Sequence, residues 1–519
     1  MKTSINNLTS RLSQLVIGLS LMATPLLAQQ NNHSSTVNAI VKEATENSQL
    51  KRMAHELIDG IGPRLVGSTK MLQASDWAMN QYKQWGIDAR RENYGTWRGW
   101  DRGISSIDMV SPWIKSLEGT QLAFSPATKK PKTGETIILA DVADSVAFKA
   151  WLPQVKGKFV LISMPQLTGR PDYNWQEFAQ KESFEAMKKE RDAQTEAWRK
   201  RISKTGLTNA KLALALEEAG ALGIVSSTWS NGFGVNKIFA AFTRKIPTVS
   251  VALEDYGLLY RLTESGNQPK ITVNTQSKEL GTVPTFNTHA EIKGIEKPNE
   301  YVMLSAHLDS WDGATGATDN GTGTLVMLEA MRILKKVYPN PKRTILVGHW
   351  GSEEQGLNGS RAFVEDHPEI VANLQALFNQ DNGTGRVVNL GGSGFAKAKD
   401  YLSKWLAATP DTIKNRIKTT FPGTPGGGGS DFASFVAVGT TGFNLSSLSW
   451  SYGAYTWHTN RDTYDKIVFD DVKSNAILTA ILVYMACEEP EKISTEKADL
   501  PAGQKWPSQV KSKRSGGTN

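Results

Sequence analysis

From residue 300 onward the chain alternates two kinds of segment, and that alternation constrains its fold more than any other feature. "YVMLSAHLDS" is a short apolar run ending in polar residues. "DNGTGTLVMLEAMRILKKVY" follows with Val326, Ala330, Ile333, Leu334 and Val337 on one helical stripe. "KRTILVGHWG" reads as a buried strand closed by glycine, "SRAFVEDH" as a helix, and "LQALFNQDNG" as another strand. Strand, helix and strand in succession predict an α/β fold, a mixed sheet sandwiched by helices. In such sheets ligands bind beyond the carboxyl ends of the strands.

Polar residues collect at those ends. In order they are His307 and Asp309, Asp319, Glu353 with Glu354, Asp381, and His458. Each alone has an ordinary role: Asp319, for example, could cap the helix beginning at Asn320. Jointly they are imidazoles and carboxylates, the donors zinc takes, drawn from a chain with only seven histidines. A two-metal site needs one carboxylate shared between the ions, with the substrate carbonyl polarised beside them. Asp319 is taken as the shared carboxylate, with His307 and Asp381 expected on one zinc and Glu354 and His458 on the other. Glu353 is left to move the proton. Asp309, two residues after His307, is expected to accept the imidazole N–H and fix its tautomer.

The rest of the chain is read from texture. Residues 1–28 carry Lys2, Arg11 and the apolar "LVIGLSLMATPLLA", the pattern of a secretory signal peptide cleaved after Ala28. No run approaches the roughly 20 apolar residues of a membrane span, so the mature protein is expected to have no membrane anchor and to be periplasmic or extracellular. Cys487 is the single cysteine and reads as a buried structural thiol. The net charge of +8 is mild for 519 residues, and its excess falls partly in the tail 491–519, expected to be disordered. No folded basic stripe with interleaved aromatics marks a nucleic-acid partner. Val37, Ile40, Val41 and Ala44 begin a helical stretch that ends at "GIGPR". Between 111 and 280, "ETIILADV", "GKFVLIS", "GALGIVSS" and "IPTVSVA" indicate a β-rich insertion, which splits the catalytic domain into 29–110 and 281–490.

"HLDSWDGATGATDNGTG", "WGSEEQGLNGS", "NQDNG", "GGSDFASF" and "WHTNRDTYDKI", in that order, resemble the co-catalytic di-zinc exopeptidases of the leucyl aminopeptidase and plasma glutamate carboxypeptidase family. The twelve positions from His307 to Asp319 look more like the glutamate carboxypeptidase branch. The resemblance implies two zinc ions on His307, Asp319, Glu354, Asp381 and His458, Glu353 as general acid and base, and a peptide or dipeptide substrate. It also implies that the insertion is a protease-associated domain. A homodimer is compatible with it. Where some relatives carry a tyrosine before the last histidine this chain has Trp457, with Tyr452 and Tyr455 as nearby phenols. Trp311, Trp350, Trp450 and Trp457 are candidates for an aromatic pocket wall. The alternatives are a non-peptidase zinc amide hydrolase, a glutaminyl-cyclase-like acyltransferase, and a non-catalytic binding module on the same scaffold.

Overall fold

The computed structural model describes residues 33–426 and 429–516; the predicted leader lies outside them. The strands 297–307, 343–350 and 374–379 run parallel, with 442–447 continuing the parallel set beyond 374–379. Antiparallel partners at 270–292 and 387–391 make the sheet mixed. Arg343–Trp350 and Leu374–Asn379 are buried along their whole length, as strands covered on both faces must be. The parallel order sends the chain out of the sheet at one common edge after His307, Trp350 and Asn379, and the predicted site residues follow directly.

Helices close both faces. Thr322–Val337 carries the predicted stripe, yet every residue from Thr322 to Leu334 is buried, because the helix packs on the sheet and is flanked by the helices Phe469–Glu488, Leu50–Ala54 and Thr69–Gln84. Asn320 caps its start, its Oδ1 accepting the Gly323 N–H at 3.1 Å, which leaves Asp319 free of that duty. The N-terminal helical stretch divides at Asn47: residues 33–46 form one helix, and Leu50–Ala54 runs into a wider turn, His55–Ile61. Cys487 is fully buried, and burial pushes its thiol up. No helix among the described residues is long and apolar enough to cross a membrane.

A long ribbon, absent from the sequence reading, joins the insertion to this core. Asp88–Ser111 pairs antiparallel with Lys270–Ile292 from Asp88 opposite Glu291 to Ser111 opposite Lys270. The second strand pairs with Arg343–Trp350 near one end and with Lys132–Ile138 near the other, so the two halves share one sheet. Between them, Lys132–Ile138, Phe159–Leu161, Gly223–Ser226 and Thr248–Val251 form a parallel set on two apolar cores of their own. Helices Lys181–Lys204, Asn209–Glu218 and Leu253–Glu264 add to the β-rich texture read in sequence.

The tail departs from expectation through Gly516. Ala396 donates its N–H to Glu496 O and Ala498 donates to Gly394 O, at 2.8 and 2.9 Å. Trp506 packs on Phe395, Arg514 pairs with Glu365 and Asp366, and Ser515–Gly516 adds a short parallel strand beside Thr96 and Trp97. Scattered anchors such as Trp506 and Arg514 have no periodicity, so local sequence gives no sign of the ordering.

Candidate metal centre

His307 ends its strand with Nδ1 donating to the carbonyl of Asp309 at 2.9 Å, which leaves Nε2 facing Asp381 Oδ1 at 3.2 Å and Asp319 Oδ1 at 3.5 Å. On the other side, His458 Nε2 lies 2.8 Å from Glu354 Oε2 and 3.2 Å from Asp319 Oδ2. The two oxygens of Asp319 therefore face different histidines. Donor atoms of His307, Asp319 and Asp381 all lie within 4.8 Å of one another, and so do those of Asp319, Glu354 and His458.

The carboxylate of Asp309 does something other than predicted. Its backbone carbonyl takes the His307 proton, while its side chain accepts the N–H groups of Glu353 and Glu354 at 3.1 and 3.3 Å. The imidazole is satisfied by the nearer oxygen, with Asp309 Oδ1 at 3.7 Å. Asp309 is thus a positioning residue for the turn that follows the Trp350 strand end. Ser352 enters that turn at φ 55° with its hydroxyl hydrogen-bonded to Tyr94 at 2.6 Å. Glu354 is oriented by the Trp311 N–H, which reaches Oε1 at 3.3 Å and leaves Oε2 for His458. The Glu353 side chain makes no hydrogen bond among the described residues, and burial, opposed by His307 and reinforced by the Asp381 charge, raises its carboxyl well above the usual range.

Several supporting residues escaped the sequence reading. Asp462, four residues after His458, accepts the N–H groups of Thr318 and Asp319 at 2.8 and 3.0 Å and so fixes the loop carrying Asp319. Arg64 is fully buried and donates to the carbonyls of Leu308, Gly62, Thr315 and Gly316. Burial pulls its guanidinium down to about 10. Asn320 Nδ2 donates to Gln380 O at 2.9 Å and ties the Asp319 loop to the Asp381 loop. Asp431, from the quoted "GGSDFASF", is buried beside them. The sequence signal for Asp462 was its place in the quoted "WHTNRDTYDKI". Arg64 had none, since its partners are backbone carbonyls, three of the four some 250 residues away in the chain.

Of the four tryptophans, Trp457 stacks on His458 with ring centroids 4.1 Å apart and is 38% exposed, and Trp311 meets His458 at 6.2 Å. Trp350 is core, packed on Phe363 and Phe435, and Trp450 turns away to Asp471. The Tyr452 phenol lies among Asp319, Asp381 and Glu354, and burial together with those charges pushes it well above its usual range. Tyr455 faces Tyr173 and Asp172 of the insertion instead.

The residues fit zinc. Asp319 Oδ2 and Glu354 Oε2 are buried without a hydrogen-bond donor, although each points toward His458 Nε2. Burial and mutual repulsion raise the Glu354 carboxyl well above its usual range, and burial with the Asp319 charge raises Asp462 to about 7. His307 goes up as well: burial opposes its protonation, but Asp381, Glu353 and the hydrogen bonds to Asp319 and Asp381 outweigh it. Cations between these carboxylates and imidazoles would offset that repulsion.

Asp462→Asn should weaken zinc binding by about tenfold to a hundredfold, the usual loss when a group orienting a ligand is changed. The amide nitrogen would face one of the two N–H groups and leave it unsatisfied. Competition with a chromogenic chelator measures this; unchanged affinity would show that the Asp319 loop holds its shape without Asp462.

The fold, with this donor set beyond its strand ends, suits a metallo-exopeptidase. Residues 287–483 match the model of Peptidase family M28. Carboxypeptidase Q of Bos taurus is 26% identical over 460 residues, covering 88% of this chain and 89% of its own. That of Rattus norvegicus is 25% identical over 466 residues, covering 89% and 91%. Among solved structures, the peptidase M28 precursor of Shewanella amazonensis SB2B aligns with a TM-score of 0.64 at 23% identity, covering 91% of this chain and 99% of that one. The zinc aminopeptidase BSAP of Bacillus subtilis aligns at 0.55 and 21%, covering 87% and 97%. Both structures share the fold with this chain.

Proposed function

We propose that the protein is an exported zinc-dependent exopeptidase, an aminopeptidase or dipeptidase, that hydrolyses the peptide bond next to a free α-amino group with two zinc ions and Glu353 as general base. The observation that carries this is Asp319, whose two oxygens face separate donor pairs, His307 with Asp381 and Glu354 with His458. Zinc at such a site supplies Lewis acidity toward the scissile carbonyl and lowers the pKa of the attacking water. The chain supplies the rest. Glu353, next in sequence to a ligand and free of hydrogen bonds, takes the proton of the attacking water and passes it to the leaving amine. Asp309 holds the turn that aims Glu353, through the N–H groups of both glutamates. Tyr452 offers a phenol O–H for the developing oxyanion.

The names of the relatives, carboxypeptidase Q and a zinc aminopeptidase, support a peptide substrate. The apolar leader supports export. The insertion, continuous with the catalytic sheet along the ribbon, is read as a protease-associated domain that walls the cleft.

The test is activity on unblocked dipeptides and aminoacyl anilides, with metal content measured on the same sample. We expect about two zinc ions per chain, loss of hydrolysis on chelation, and recovery on zinc addition. A zinc-loaded protein inert toward every amide would make this a binding protein on a peptidase scaffold.

A further inference from the structure

The inserted segment brings one cation to the edge of the metal centre. Lys237 lies on the loop after Gly223–Ser226, and that loop is locked to the segment carrying His458. Ile238 donates its N–H to His458 O at 2.7 Å, Asn460 donates to Asn236 O at 2.9 Å, and Lys237 bridges to Thr459. The Asn236 N–H reaches Asn460 Oδ1 at 2.9 Å. Lys237 Nζ sits 3.7 Å from the centroid of the Trp457 ring, and Trp457 stacks on His458. Two residues further, Phe239 makes edge contacts with His458 and Trp311 at 5.4 and 5.5 Å.

Neighbouring cations are already engaged. Arg64 is spent on backbone carbonyls, Arg102 pairs with Asp312, and Arg461 pairs with Glu118. Lys237 has no carboxylate within ion-pair distance among the described residues, although it is only partly exposed. Burial disfavours its charge, and the Asp319 carboxylate of the donor set favours it. With Phe239 and Trp229 it also lines a cavity of about 460 Å³ in the insertion. An ammonium held over an indole, beside the reacting centre and without a counter-ion, suits an anion that arrives with the substrate.

We propose that Lys237 binds the free α-carboxylate of a short peptide substrate, so that the enzyme prefers unblocked dipeptides. In a dipeptide that carboxylate lies one residue beyond the scissile carbonyl, roughly 3.6 Å of extended chain. A group adjoining the last metal ligand is in the right neighbourhood for it, and Lys237 reaches there on a flexible stem. The inference rests on the zinc exopeptidase reading of the donor set.

The test is kcat/KM of the zinc-loaded protein on a panel of dipeptides and on the same dipeptides as C-terminal amides. The wild type should favour the free acids by about tenfold or more, chiefly through KM, the order a charge-assisted hydrogen bond contributes. In Lys237→Met the acid-to-amide ratio should fall to near one, and Lys237→Arg should retain the preference. A wild type indifferent to the carboxylate, or a ratio unchanged in Lys237→Met, overturns the assignment and leaves the exopeptidase reading standing. No hydrolysis of either form overturns both.

Discussion

Glu353→Gln is expected to lower kcat by about a hundredfold to ten-thousandfold, the span associated with losing a general base, while zinc content stays at the wild-type level. The amide is nearly isosteric and cannot take a proton. The metal donors are untouched, because Glu353 lies beside the donor set without belonging to either cluster. The Asp309 contacts to this turn run to backbone N–H groups and survive the change. Single-turnover rates and zinc analysis on one preparation check it. A variant that keeps its rate would remove Glu353 as the base; one that loses zinc with its rate would make Glu353 a structural support of the centre.

Asp319→Ala should be more damaging to the metals than to the chain. Without it, one side keeps only His307 and Asp381 and the other only Glu354 and His458, fewer than the three protein ligands typical of catalytic zinc. Zinc should fall from about two ions per chain to well below one, because the shared carboxylate serves both. The helix Thr322–Val337 should keep its start, because its cap comes from Asn320. What the variant loses is the stabilisation that zinc binding adds to the native state. Full zinc occupancy would return Asp319 to an ordinary structural role.

Periodicity made the catalytic sheet legible. Buried runs ending at His307, Trp350 and Asn379 and the stripe of Thr322–Val337 are local patterns, and the donors stand immediately after them. The ribbon Asp88–Ser111 was not legible, because its residues mix polar and aromatic types and bury only intermittently. Its partner lies more than 150 residues away in the chain. Supporting residues were hidden for a related reason. Asp462 and Arg64 act on backbone groups, which carry no residue-type signature, and the Asp309 carboxylate could not be assigned to the glutamate N–H groups before their turn was placed. Lys237 sits in a loop whose pairing with Thr459 is tertiary.

Anomalous diffraction at the zinc edge, from crystals of the zinc-loaded protein, tests the central claim most directly. The account predicts two peaks about 3.5–4 Å apart, one against His307 and Asp381, the other against Glu354 and His458, with one oxygen of Asp319 on each. A single peak, or none within this donor set, would contradict it.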